Sequence, residues 1–323
     1  MEFRLEFDPP AFEKKITIHD KIIMVGSCFT EHIHGYFSDY KFSCIENPHG
    51  TLFNPISIFK SIQQYIDKTI IEEQTLFNHN GLWSHWDFHS RLSDSQLDVA
   101  VHKMNAAIEK AHFFLKDANW LIITLGTSFV YENQSETIVA NCHKVPSSAF
   151  KKRLLSIQEI ELAFQHLYDT LKSFNPSLNI VFTISPVRHL RDGFVENNRS
   201  KAILHHVIGN FINRPDVFYF PSFELIIDDL RDYRFYAEDM VHPNYQATQY
   251  VWEKFSVACI EGKTRAFMKE LDQLNSATKH KPIHPDSMEH VKFRQKFKAI
   301  TEELRQRFPT LNWDKEIAHF TEN

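Results

Sequence analysis

Short apolar runs alternate with amphipathic segments over residues 1–261, and this alternation limits the fold more than any other feature of the chain. The runs at 22–25, 120–124, 179–184 and 217–220 are rich in β-branched and aromatic side chains. Runs this short, bounded by polar residues, read as strands buried on both faces. Between them lie helix patterns. Leu97, Val101, Met104, Ile108, Ala111 and Leu115 recur at steps of three and four, which is one face of an α-helix. Ser156-Ile157-Gln158-Glu159 has the form of a capping box. Behind it Ile160, Phe164, Leu167, Leu171 and Phe174 make an apolar face, and Asn175-Pro176 stops the helix. Strands alternating with helices predict an α/β three-layer sandwich around a parallel sheet of about five strands.

The remaining elements follow from the same patterns. The first strand is expected over 21–25, with a helix over 28–40, an extended piece over 42–45 and a helix from Pro55 to about residue 66. An irregular β insertion is expected over 69–90 around Trp83 and Trp86, and a hairpin over 129–142. Further helices are expected over 196–212 and 244–259. Past residue 261 only helix patterns continue, broken at Pro282, Pro285 and Pro309. Residues 262–323 therefore read as a helical C-terminal extension of two or three helices on a domain spanning 1–261.

Composition excludes several classes of function. The net charge is −5, so no basic excess points to nucleic acid. No run approaches the roughly 20 apolar residues that cross a bilayer. The four cysteines, Cys28, Cys44, Cys142 and Cys259, form no C-x-x-C pair and are sparse for a disulfide framework. Residues 1–21 mix charge, Pro and Phe without the apolar stretch of a signal peptide. A reducing, cytoplasmic compartment is the expectation. The sequence fixes no oligomeric state.

Ligands of open parallel sheets bind beyond the carboxyl ends of the strands. Four loops leave such ends: Gly26-Ser27-Cys28, Asn47-Pro48-His49-Gly50, Gly126-Thr127-Ser128 and the segment 185–191. Ser27 is a candidate nucleophile, or else the N-cap of the following helix. His242 stands three residues after Asp239. That spacing lets the carboxylate orient the imidazole, so that His242 can take a proton from a serine. The same pair can equally be a structural hydrogen bond at a helix start. The N–H groups of Ser27 and Gly50 are candidate oxyanion donors, and Gly126 allows close backbone approach in a third loop. Cys28 is either a thiol at a helix start or a small buried residue. Arg188 either clamps an anionic group or joins an internal ion pair, and His189 beside it lines the pocket. His85, Asp87 and His89 would share one face of a strand. A metal there lacks supporting ligands, so His89 is expected on a polar rim. Asn141, Cys142 and His143 either line the pocket or support the hairpin.

Gly26-Ser27-Cys28-Phe29-Thr30 resembles the signature of the GSCFA family, a branch of the SGNH/GDSL hydrolases, with Thr30 where the family name has Ala. Asn47-Pro48-His49-Gly50, Asn54-Pro55, Asn141-Cys142-His143-Lys144, Ser185-Pro186-Val187-Arg188-His189 and the segment 232–239 are similar to the same family, over about residues 20–255. The resemblance implies a flavodoxin-like fold and ester chemistry without a cofactor. It implies Ser27 as nucleophile, Asp239 and His242 completing a triad, and Gly50 as oxyanion donor. The substrate implied is a small acyl ester, such as an acetyl group on a saccharide, with hydrolysis and transfer both open. Two departures stand out. Gly26-Ser27-Cys28 replaces the Gly-Asp-Ser of the wider superfamily, and Gly126-Thr127-Ser128 replaces its Gly-x-Asn. Ser128 or Asn141 is expected to supply the missing donor. The alternative is a binding module that keeps the fold without turnover.

Overall fold

Strand β1 (Lys21–Gly26) carries Ile22, Ile23, Met24 and Val25, each fully buried. Neither face of such a strand can meet water, so it has to run through the middle of a layered sheet. In the computed structural model, which describes residues 4–284 and 287–321, it does so. Helix α1 (Cys28–Asp39) leads to strand β2 (Ser43–Glu46). Helix α2 (Pro55–Asp67) starts with Pro55 in its first turn and Asn54 as N-cap, whose side chain accepts from the Ser57 N–H. A small antiparallel hairpin, β3 (Phe77–His79) and β4 (Leu82–Ser84), turns at Asn80-Gly81 with both residues at positive φ. Helix α3 (Leu97–Lys116) and strand β5 (Trp120–Leu125) follow.

Strands β6 (Phe129–Glu132), β7 (Ile138–Val139) and β8 (Lys151–Leu154) form a separate antiparallel sheet in the order β7-β6-β8. The sequence predicts only a hairpin here. β8 escapes apolar pattern because Lys151, Lys152 and Arg153 fill it. It is held by charge instead, with Arg153 paired to Glu132 at 2.6 Å and the Lys152 ammonium over the Phe129 ring.

The chain continues through α4 (Ile157–Phe174), β9 (Asn179–Ile184), α5 (Gly193–Phe211) and β10 (Val217–Tyr219). A short turn α6 (Ser222–Glu224) widens into π-helix over Leu225–Leu230, before α7 (Tyr245–Cys259). The capping box of α4 is complete: the Ser156 Oγ accepts from the Glu159 N–H at 3.2 Å and Glu159 accepts from the Ser156 N–H at 2.8 Å. Ser156→Ala should therefore lower stability by about 1 kcal/mol, read as a shifted urea midpoint with an unchanged slope.

The main sheet is parallel throughout, in the order β2-β1-β5-β9-β10. Counting only these strands along the chain, the order is 2-1-3-4-5, the flavodoxin-like winding. Its direction reverses between β1 and β5, where Gly26 lies opposite Thr124. One face carries Ile23, Val25, Ile123 and Phe182 against α2, α4 and α5. The other carries Ile22, Met24, Ile122 and Val181 against α1 and α7.

Past residue 261 lie α8 (Gly262–Lys279), α9 (Met288–Arg307) and α10 (Asp314–Thr321). Pro285 lies outside the described residues. Phe267, Leu271, Leu304, Trp313 and Phe320 of this region share one apolar cluster with Ile22 and Met24. Among the described residues, no helix is long and apolar enough to cross a membrane.

Candidate active site

The carboxyl end of β1 is built around Gly26. Its φ is +150°, and a Cβ there would stand 2.2 Å from the Thr124 carbonyl oxygen on β5. The Gly26 N–H donates to Asn47 Oδ1 at 2.8 Å, and its carbonyl accepts from the Leu52 N–H at 2.9 Å. The turn after β1 is thus pinned between β5 and the 47–52 loop. Ser27 follows in extended conformation and occupies the N-cap position of α1, yet its hydroxyl makes no capping bond. The Ser27 Oγ is buried with no hydrogen-bond partner, and so is the Thr30 Oγ1 one turn on. A buried hydroxyl left unbonded is uncommon and asks for an explanation other than helix capping.

The second element is the 237–243 loop. Asp239 Oδ1 accepts from the Val241 and His242 N–H groups, each at 2.9 Å, while Oδ2 meets His242 Nδ1 at 2.6 Å. Met240 takes a left-handed φ of +58° to allow this turn. The Ala237 N–H donates to the His242 carbonyl at 2.7 Å, and Asn244 caps α7 immediately after. These contacts to His242 and Val241 hold the Asp239 carboxyl down at about 2. With Nδ1 donating to a carboxylate, the neutral ring carries its lone pair on Nε2, as a general base requires.

The β9 loop joins this turn, because the Arg188 N–H points at the Val241 carbonyl at 3.4 Å. Arg188 pairs with no carboxylate among the described residues. Its guanidinium lies 4.8 Å from the Tyr236 ring centre and 5.6 Å from that of Tyr233, so of the two alternatives the internal ion pair is not formed and stacking takes its place. His189 is half-buried, with its N–H bonded to Asn197 Oδ1 at 3.0 Å. Burial, then the charges of Lys201 and His242 among others, pull its pKa to about 4. His242 also acts electrostatically on His32 of α1. The dyad therefore lies near the helix that Ser27 begins, though no hydrogen bond joins His242 to Ser27.

Several sequence-based expectations need correction. The Ser27 N–H is no free oxyanion donor, since it bonds the Thr124 carbonyl at 3.1 Å. The Gly50 N–H closes its own turn on the Asn47 carbonyl at 2.7 Å, and the glycine is needed because a Cβ would strike His89 at 2.2 Å. The Ser128 hydroxyl points into α5 and donates to the Ser200 carbonyl at 2.9 Å. Asn141 Oδ1 accepts from the His143 N–H at 2.7 Å, so this face of the amide serves its own turn. Gly126 bonds its N–H to the Phe53 carbonyl at 2.8 Å, in close contact with Phe53.

His49 is a core residue rather than a substrate ligand. It is fully buried, stacked on Phe88 at 3.9 Å and bonded to Gln64 and Tyr65. Burial drives its pKa down to about 4. His143 meets the His85 carbonyl at 3.0 Å and packs edge-on to Phe77, which braces the hairpin. Residues 85–89 form a turn rather than a strand. Asp87 there ties Lys60 at 2.7 Å and Gln64 at 3.0 Å, while His89 accepts from the Arg91 N–H. Cys142 is half-buried, and burial raises its thiol pKa. Burial likewise raises the Cys28 thiol, helped by Glu31, which opposes the thiolate that a cysteine nucleophile needs.

One buried group had no place among the sequence candidates. Lys201 on α5 is 2 % exposed, and its Nζ donates to the carbonyls of Gly126 at 2.7 Å and Ser185 at 2.6 Å. The signal was present. Asn197, Ser200, Lys201, Leu204, Val207 and Ile208 recur at three and four on the buried face of α5, which puts a lysine where a core residue belongs.

The sequence model of the GSCFA family matches residues 21–255, and that of the "GSCFA domain protein, C-terminal domain" matches residues 271–323. No curated protein matches the sequence. Among solved structures, an acetyl xylan esterase (Est2A) from the rumen bacterium Butyrivibrio proteoclasticus aligns at 10% identity and a TM-score of 0.38. That alignment covers 81% of this chain and 66% of the esterase chain.

Proposed function

Because the chain belongs to the GSCFA family, we propose that it is a serine-dependent hydrolase or acyltransferase of small O-acyl esters, built on the SGNH plan. The observation that carries this is the buried, unbonded Ser27 hydroxyl at the switch point of the sheet. Ligands of such sheets bind there. Support comes from the Asp239–His242 pair, which fixes the ring with Nε2 free.

In the proposed reaction the substrate draws the 237–243 loop toward Ser27, since catalytic hydrogen bonds often tighten only in the complex. His242 Nε2 takes the Ser27 proton as Oγ bonds the acyl carbon, and the carbonyl electron pair moves to oxygen. The pair returns as the C–O bond to the alcohol breaks, and His242 gives its proton to the departing oxygen. Water, or an acceptor alcohol in transfer, then attacks the acyl-Ser27 by the same proton path. Asp239 orients the imidazole and balances its charge. An acetyl group on a saccharide is the proposed substrate class, from likeness to the SGNH hydrolases. No cofactor enters these steps.

A fluorophosphonate probe tests the assignment. Intact mass and peptide mapping should place one adduct on Ser27, and Cys28→Ala should label within about threefold of the wild-type rate, since a thiol whose pKa is raised by burial is held protonated and plays no part. An adduct on Cys28, or labelling lost with Cys28→Ala, would move the chemistry to sulfur. One observation favours turnover-free binding instead: the N–H groups of Ser27, Gly50 and Gly126 are all already bonded. That alternative predicts no p-nitrophenol release from p-nitrophenyl acetate beyond the buffer rate.

A further inference from the structure

Lys201 is the least expected charge in the molecule. Fully buried lysines are rare unless paired, and among the described residues no carboxylate pairs with this one. Its two bonds go to Gly126, just past β5, and Ser185, just past β9. The neighbouring strand end belongs to the site: the Ser27 N–H binds Thr124, two residues before Gly126. The ammonium thus sits beside the reversal point of the sheet. An ammonium has three donors, and the protein takes two.

We propose that Lys201 is a positioning residue of this site: it ties together the carbonyls that follow β5 and β9 and holds a positive charge beside the Ser27–Cys28 turn, where the carbonyl oxygen of an ester becomes an anion. This rests on Ser27 being the nucleophile. The charge does the electrostatic work that the absent Gly-x-Asn amide would do by hydrogen bonding.

The surroundings agree. The titratable groups that interact with Lys201 are Cys28 on α1, His189 after β9 and His205 on its own helix. The Phe223 ring centre is 5.8 Å from Nζ. Burial pulls the Lys201 pKa down to about 7. The charge is therefore present below about pH 7 and lost above it. The sign for stability is the opposite of a salt bridge. The folded protein binds fewer protons than the unfolded chain above pH 7, so this residue makes stability rise from about pH 7 toward the ordinary lysine range.

The experiment compares wild type, Lys201→Met and Lys201→Arg with p-nitrophenyl acetate across pH. Lys201→Met should lower kcat about 100-fold at pH 6.5 with KM within about threefold, the size of losing one oxyanion contact. A falling limb of kcat near pH 7 should vanish in both variants, while Lys201→Arg, which keeps the charge, recovers at least a tenth of the rate. Wild-type kcat and an unchanged pH profile in both variants overturn the proposal. A second readout needs no activity. In Ser27→Ala protein, the backbone amide signals of positions 27 and 28 should shift with an inflection near pH 7 that Lys201→Arg removes. Titration curves identical with and without Lys201 also overturn it. Failure of the Ser27 assignment looks different, as full hydrolysis by Ser27→Ala, which no change at Lys201 can produce.

Discussion

Ser27→Ala should abolish ester hydrolysis and fluorophosphonate labelling while leaving the fold as stable as before or slightly more so. Removing a serine nucleophile elsewhere costs about 10⁶ in kcat, with residual catalysis left to binding and electrostatics. Stability moves the other way because the Ser27 Oγ has no partner to lose. Deleting a buried, unbonded hydroxyl relieves a desolvation penalty of about 1 kcal/mol or more. A structural N-cap would behave in the opposite manner, costing about 1 kcal/mol on the same substitution. Initial rates with p-nitrophenyl acetate and a thermal melt on the same sample read both quantities. Retention of more than about a hundredth of the wild-type rate would end the role of Ser27 as nucleophile.

Gly26→Ala should be the most damaging small substitution in the protein. The new methyl would stand 2.2 Å from the Thr124 carbonyl oxygen, 2.8 Å from its nitrogen and 2.9 Å from its carbon, all backbone of a central strand. Neither β1 nor β5 can give way here, since β1 is buried from Ile22 to Gly26 and β5 along its length. The φ of +150° adds strain of about 1–3 kcal/mol for any side chain. Overpacking of this kind costs about 1–3 kcal/mol more. The result should be insoluble expression, or a melting temperature lower by about 10 °C. Gly35→Ala is the control. No atom lies within 4 Å of its Cβ position on α1, so this change should stabilise the helix by about 0.5–1 kcal/mol. Equal melting temperatures for the two variants would mean that the β1–β5 contact is looser than the structure has it.

The sheet was legible because its strands are written in side chains that have nowhere else to go. Ile22 to Val25, Trp120 to Thr124 and Asn179 to Ile184 bury every residue, and strands buried on both faces leave an uninterrupted apolar run. Strand β8 was not legible, because lysines and an arginine hold it through partners far along the chain. The Asp239–His242 bond was foreseeable because three residues of spacing bring it within one turn. The oxyanion donors were not. Whether an N–H is free depends on tertiary partners, and the carbonyls of Thr124, Asn47 and Phe53 had already claimed those of Ser27, Gly50 and Gly126. His49 shows the same limit. A histidine next to a glycine in a strand-end loop suggests a ligand contact, but stacking on Phe88 and a bond to Gln64 make it part of the core.

The apolar cluster that joins α8, α9 and α10 to the first strand bears on how the protein is made. Phe37 and Met24 share that cluster with Trp313 and Phe320, and Lys41 pairs with Glu316 at 2.7 Å in a nearly dry setting. A ribosome that has finished the five strands of the main sheet has therefore supplied only α1 on that side, and not yet α7 to α10. Until codon 320 has been translated, oily surface stays open to the water around the nascent chain, and a premature stop in the preceding codons would hand that surface to chaperones and proteases.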